Sequence, residues 1–297
     1  MITFTRVNKS DKWSPIDGAD GVEGFLARII FRALQDLRDG ALNQAFQDGV
    51  SKQDVERILQ SLDWTAFGAS MRDAGNTLGN FFQKTGLNDL KDMGVDANLV
   101  FTLINEKAVS FAAEFAAKYV VEIQDDLRQS IRAKVVSSVS GELTVAELSR
   151  QIRQGLPLHA NWAKAVPKFY DKTYKRLIKD GVPQAKAVAN AEAMAAKYEQ
   201  KLIRKRALVI ARTETQRAAQ QGTYDSWLAG IDSGLIRKGS RKVWFAEPSA
   251  CDLCAALKDT EISVTSDWGF SDGFNGGLMP PRHPNCRCRV ALLPPKD

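Results

Sequence analysis

Apolar residues recur at three- and four-residue intervals through the first half of the chain, which is the spacing of a helix face. Over residues 21–47 they fall at Phe25, Ile29, Ile30, Ala33, Leu37, Leu42 and Phe46. Ser51, with Asp54 three residues on, reads as the start of a short helix. Phe81 and Phe82 close a further segment ahead of the glycine- and asparagine-bearing stretch TGLNDLKDMG. Asp96 then opens a long helix to about Val136, with Leu99, Leu103, Ile104, Phe111, Phe115, Tyr119 and Ile123 on its buried side. At helical spacing these aromatics are core. SSVSG, at 137–141, has the composition of a linker.

The second half opens on Thr144 with Glu147 three residues later, a capping box in which each side chain satisfies a free amide of the first turn. That helix stops at Gly155, ahead of Pro157. Lys164, Lys168, Lys172, Lys175 and Lys179 then recur at helical spacing beside Phe169, Tyr170, Tyr174, Leu177 and Ile178, giving one basic and one apolar face. An alanine-rich helical stretch follows Pro183 to about Leu228, with Gly222 a candidate interruption. After Gly230 the pattern changes. RKVWFAE (241–247), EISV (261–264) and CRVALL (288–293) read as strands separated by glycine-rich loops. The expected fold is α+β and mostly α: a long-helix region over 1–140, then a helical domain over 141–297 that ends in a small β-containing module.

Charge changes this picture in one respect. The net charge is +6, but residues 1–159 hold 18 Lys/Arg against 21 Asp/Glu, whereas residues 160–297 hold 23 against 14. A basic half suits a polyanionic partner or an acidic protein surface, and a solvated face explains it equally well. Lys201, Arg204, Lys205 and Arg206, with Lys168, Lys172 and Lys175, are the candidate contacts. No apolar run approaches the length of a membrane span, and the N-terminal stretch lacks the apolar core of a signal peptide. A reducing, cytoplasm-like compartment is therefore expected.

Cysteine and histidine supply the candidate chemistry. The chain has four Cys and two His, and five of these six residues stand in two clusters, CDLC at 251–254 and PPRHPNCRC at 280–288. Two residues between ligands let a tight turn present both side chains to one metal while turn amides face the sulfur. Cys251, Cys254, His283 and Cys286 form the symmetrical set of four. Cys288 is the spare, or the fourth ligand if His283 is not one. Four protein ligands leave no position open for water, so the site reads as structural zinc, stapling a loop-rich segment that has little core of its own. Two disulfides or unpaired thiols would also use four cysteines, but a reducing compartment and the adjacent histidine favour the metal. A zinc deaminase would need H-x-E ahead of P-C-x-x-C, and here the histidine follows the CxxC, with Asn285 two residues after it. There is no P-loop, GxGxxG or HExxH, and a catalytic role is not expected.

ARTETQRAAQQGTYDSW, KVWFAEPSACDLCAALKDTEI and PPRHPNCRCRV together resemble the phage head morphogenesis family named after Mu protein F. The pattern of that family, an A-R-T-E helix, a tryptophan strand, C-x-x-C and P-P-x-H-P-x-C-R-C, stands here at Ala211–Glu214, Trp244, Cys251/Cys254 and Pro280–Cys288. Where the family commonly has Asp-Gly after the CxxC, this chain has Asp259-Thr260. The resemblance covers about residues 141–297, with the Cys/His knuckle at 244–293. It implies a minor capsid protein of a tailed phage, acting in head assembly and associated with the portal protein. Capsid or scaffolding protein and double-stranded DNA, bound without sequence reading, are further implied partners. The implied location is the virion, in the capsid interior or at the portal vertex, with assembly in the host cytoplasm. A virion-delivered enzyme or toxin-like effector, a nuclease or transferase, is the alternative. For Arg212 and Glu214 the simpler reading is helix chemistry, Glu214 pairing with Arg217. The sharper one has Arg212 and Glu214 anchor the helix to the knuckle or the portal.

Overall fold

A computed structural model describes residues 14–41, 43–139, 144–156, 158–270 and 277–296. Its helices are α1 (Ala19–Gly40), α2 (Gln44–Ser51), α3 (Val55–Gln60), α4 (Trp64–Asp92), α5 (Phe101–Val139), α6 (Val145–Gly155), α7 (Ala160–Ala163), α8 (Ala165–Lys179), α9 (Gln184–Asp232) and α10 (Asp252–Ala255). Its strands are β1 (Arg241–Phe245), β2 (Glu261–Ser263) and β3 (Arg289–Leu293). The fold is mostly helical with one small antiparallel sheet, as expected. Residue contacts group the chain into two compact units, and each draws on residues from both sides of position 140. Unit 1 comprises Met1–Ala27, Asp73–Phe115 and Leu208–Asp297, and unit 2 comprises Arg28–Arg72 and Ala116–Ala207.

The helix boundaries show which local signals act. The capping box at Thr144 and Glu147 forms in full. Asp96 caps a single 3-10 turn, Ala97–Val100, before α5 begins. Ser51 ends α2 rather than starting α3. Asp54 is the cap, its carboxylate accepting from Arg57 N at 3.0 Å, because an aspartate satisfies the free amide as well as a hydroxyl does. α5 continues through Ser137 to Val139, so the first part of the expected linker is helical and the rest lies outside the described residues. Pro157 and Leu42 also lie outside them. In α1 the buried stripe is Leu26, Ile30, Ala33, Leu34 and Leu37, whereas Phe25 is exposed. In α5 it runs through Ile104, Phe111, Phe115, Tyr119 and Ile123, and Leu103, one residue round from Ile104, is exposed. Each buried aliphatic or Phe in such a stripe contributes about 1.5–3 kcal/mol.

Two glycines that read as breaks are packing contacts instead. α4 runs unbroken through Gly86, and α9 through Gly222. A Cβ on Gly86 would strike the carbonyl of Gly222, and a Cβ on Gly222 would strike the carbonyl of Phe82. α4 and α9 therefore approach backbone to backbone in unit 1. Gly75 and Gly79 do the same for α4 against Ala112 and Ala108 of α5.

Unit 2 builds a charged interior. Lys134 Nζ donates to Gln151 O at 2.5 Å, and burial holds its pKa down to about 8. Glu199, which lies 3.7 Å from Arg38, is pushed up to about 7 by burial. Phe169 of α8 stacks on Tyr198 of α9 at 4.5 Å between centroids, which turns Lys168, Lys172 and Lys175 to solvent.

In unit 1 the sheet has the order β2-β1-β3, with Trp244 opposite Val290 and Val243 between Glu261 and Ala291. Trp244 is fully buried and packs edge-on against Trp268 and Phe270. Lys242, fully buried on the same face, donates to Leu278 O at 2.8 Å and lies beneath the rings of Tyr224 and Trp268. These contacts close the loop that leads into the histidine and the last two cysteines.

Candidate metal centre

Each cysteine cluster is shaped by its own turn. Cys251 stands at the N-terminus of α10, and Cys254 N and Ala255 N donate to its carbonyl at 3.0 and 2.8 Å. The first amides of that turn also face its sulfur. The backbone N–H of Cys254 holds the Cys251 thiol below its ordinary range, against the effect of burial. The turn returns to β1 through Asp259, whose φ is +59° and whose N–H donates to Trp244 O at 2.9 Å. Aspartate tolerates this left-handed conformation, and Thr260, at the place of the family's glycine, donates its N–H to Leu257 O at 3.0 Å.

The second cluster turns at Asn285, with φ +62°, and Cys286 N donates to His283 O at 3.1 Å. His283 Nδ1 lies 2.9 Å from Pro284 O, an atom that can only accept, so the ring proton sits on Nδ1. The lone pair of Nε2 is then directed at Cys251 Sγ and Cys254 Sγ, each 3.2 Å away. A backbone carbonyl fixing the far nitrogen is the usual support of a metal-binding histidine.

The donor atoms form two triplets, Cys251/Cys254/His283 and Cys254/Cys286/Cys288, and within each all lie inside 4.8 Å of one another. Cys254 belongs to both. Ordinary zinc bond lengths in a tetrahedron require about 3.8 Å between sulfurs and about 3.6 Å from sulfur to nitrogen. Cys254 Sγ lies 3.8 Å from Cys286 Sγ, and the sulfur–nitrogen distances are only slightly short. The chain therefore brings together a Cys/His cluster that fits a metal ion. Cys254, Cys286 and Cys288 are buried, Cys251 is exposed and His283 is half-buried. Hydrogen bonds from the Cys254 and Cys288 thiols hold Cys286 far below the ordinary thiol range, and the same bond to Cys286 pushes Cys254 up.

α9 holds this segment along one face. Gln216 Nε2 donates to Cys288 O at 2.5 Å, Gln220 Oε1 accepts from Val290 N at 3.2 Å, and Thr213 Oγ1 accepts from Asn285 N at 3.1 Å. Arg212 donates to Asn285 Oδ1 at 3.5 Å and reaches Glu23 of α1 at 3.3 Å. Arg287, between two of the cysteines, donates to the same Glu23 carboxylate at 2.9 Å. The two readings of the A-R-T-E helix thus divide between residues: Arg212 anchors the knuckle, and Glu214, fully buried, pairs with Arg217 at 3.2 Å. Gln216 and Gln220 were visible in the sequence as polar residues four apart on an alanine-rich helix. Glu23 had no comparable signal, since its partner lies 264 residues away.

The basic candidates separate as well. Lys168, Lys172, Lys175, Lys201, Arg204 and Lys205 are exposed. Arg206 is not part of that surface. It follows the buried stripe of Ile203 and Ala207 and pairs with Asp126 at 2.5 Å. The positive charge belongs to unit 2 as a whole, which carries 24 Lys/Arg against 15 Asp/Glu, whereas unit 1 carries 17 against 20. No helix among the described residues is long and apolar enough to cross a membrane.

A family model described as Phage Mu protein F like protein matches residues 129–291, a span that takes in α6 to α10, β1, β2, the first three residues of β3 and all five donor residues. No curated protein and no solved structure matches the chain.

Proposed function

This chain belongs to the family of Phage Mu protein F like proteins, and from that membership we propose that it is a minor capsid protein that binds the portal protein at the portal vertex during head assembly. The family is one of phage head morphogenesis, which assigns the chain to the head. The match over residues 129–291 is the observation that carries the finer reading. In this role the protein is a structural and interaction component and turns over no substrate. Capsid or scaffolding protein is a further contact during assembly.

The metal in this reading is zinc, held by Cys251, Cys254, His283 and Cys286, with Cys288 adjacent as a fifth donor. Bound zinc supplies folding free energy, on the order of 10 kcal/mol for sites of this kind. The protein's own residues do the rest. Pro284 O sets the histidine tautomer, the α10 amides stabilise the Cys251 thiolate, and Thr213, Gln216 and Gln220 seat the segment on α9. The exposed lysines and arginines of unit 2 suit contact with phosphate on packaged DNA, which needs no sequence reading.

The test is co-expression with the portal protein of the same phage, followed by affinity capture and size-exclusion chromatography. Co-elution of the two proteins is the expected result. A folded, monodisperse sample that never retains the portal protein would remove the portal assignment.

A further inference from the structure

In unit 2, a notch of about 530 Å³ opens between α1 and α9, lined by Arg38 of α1 and by Ala196, Lys197, Gln200, Lys201 and Arg204 of α9. Its lining holds four cations and no carboxylate. The four are not equivalent. Arg38 Nε and Nη2 both donate to Asp39 Oδ1, at 2.9 and 2.8 Å, and Arg38 Nη1 lies 3.7 Å from the buried Glu199. Arg38 is therefore compensated and serves as a wall. Among the described residues Lys197, Lys201 and Arg204 form no ion pair, and all three are exposed.

The sequence sets these three cations in register. Positions 197, 201 and 204 are four and three apart, so they stack on one face of α9 in a line about 10 Å long. Ala196, beside Lys197, adds no bulk and leaves the notch open. Arg204 is the best fixed of the three, because its guanidinium lies over the Phe31 ring, 5.2 Å from the centroid. Like charges in a row repel one another, and an extended polyanion relieves that repulsion along the whole line. One strand of duplex DNA carries a phosphate per ~3.4 Å of axis, so about three phosphates span the line that three cations occupy.

We propose that this notch seats a run of successive phosphates, the chemistry shared by one strand of a nucleic-acid backbone and a free polyphosphate chain. Lys197, Lys201 and Arg204 supply the counter-charges, with the Gln200 amide as a further donor. The inference rests on the reading of unit 2 as the part of the protein that meets phosphate, and it gives that reading a bounded site.

Two titrations of the full chain test it: fluorescence anisotropy with a short labelled duplex of random sequence, and calorimetry with sodium tripolyphosphate. Lys197→Gln should lower the slope of log affinity against log salt by about 1. Ala196→Leu changes no charge but fills the notch, and should weaken binding several-fold at every salt concentration. Lys258→Gln, the same charge change at an exposed lysine of unit 1, should alter neither. All three positions are exposed, and an unchanged circular dichroism spectrum certifies each fold. Tighter binding of the duplex assigns the notch to nucleic acid, and tighter binding of tripolyphosphate to a free chain. Wild-type affinity in Ala196→Leu, or an unchanged slope in Lys197→Gln, overturns the notch while leaving DNA contact elsewhere on unit 2. Saturable binding of tripolyphosphate without binding of the duplex keeps the notch and removes the DNA reading. Saturation by neither probe overturns both, and equal affinity for an oligoglutamate peptide of matched charge overturns the choice of phosphate.

Discussion

Cys254 Sγ is the atom on which both donor triplets close, and the four cysteines should respond unequally to substitution for that reason. Cys254→Ser removes a ligand from either triplet, so the purified variant should contain less than about a tenth of the wild-type zinc and lose thermal stability on the scale of a structural metal site. Cys288→Ser leaves Cys251, Cys254, His283 and Cys286 intact and should keep one zinc per chain. Elemental analysis with a thiol count before and after chelation reads both. A Cys288 variant without metal would move the fourth ligand from Cys286 to Cys288. The donor residues were legible in the sequence because the CxxC and HPxC spacings are local. The sharing of Cys254 was not, since spacing fixes neither the order nor the distance in which two turns meet. Asp259 and Asn285 show the same limit: each holds a left-handed turn that the spacing of the cysteines does not announce.

At the scale of the element, the glycines of α4 and α9 carry the information that periodicity lacks. Gly86 and Gly222 read as helix breakers from composition, yet both lie inside long helices and allow two backbones to touch. Substituting Gly222 with alanine forces a methyl against the Phe82 carbonyl, where backbone cannot give way. The expected cost is about 1–3 kcal/mol, a fall of several degrees in the midpoint of thermal unfolding. Gly21→Ala in α1, where nothing lies within 4 Å, is the control and should be neutral or stabilising by up to about 1 kcal/mol. Equal effects of the two changes would contradict the backbone contact. Helix existence was legible throughout from the apolar stripes, and the capping box from two residues. What stayed hidden was which glycine faces what, because that depends on a partner helix some 140 residues distant in the chain.

Across the whole molecule, charge and connectivity sort differently from sequence order. The basic half reads as residues 160–297, but the excess resides in unit 2, and residues 208–297 are nearly balanced at 11 Lys/Arg against 10 Asp/Glu. If that surface meets DNA, replacing Lys201, Arg204 and Lys205 by glutamate should lower the slope of log affinity against log salt by about 2–3 for a random-sequence duplex. Arg206, held by Asp126, should contribute nothing to the slope. Salt-insensitive binding in the wild type, or an unchanged slope in the variant, would separate unit 2 from nucleic acid. Unit 1 has a further consequence, one of timing. Its three stretches include Glu23 and the Arg287 that clasps it, so a ribosome must release residue 287 before the clasp can form. Until then Gln216 and Gln220 await partners that have not been synthesised, the α1 carboxylate has Arg212 but not Arg287, and the helices of unit 1 must persist without their final seal. Closure across so long a loop is entropically slow. The half-made protein is therefore a natural client for chaperones, and a ribosome stalled short of the second cysteine pair would leave its chain unable to close unit 1 at all.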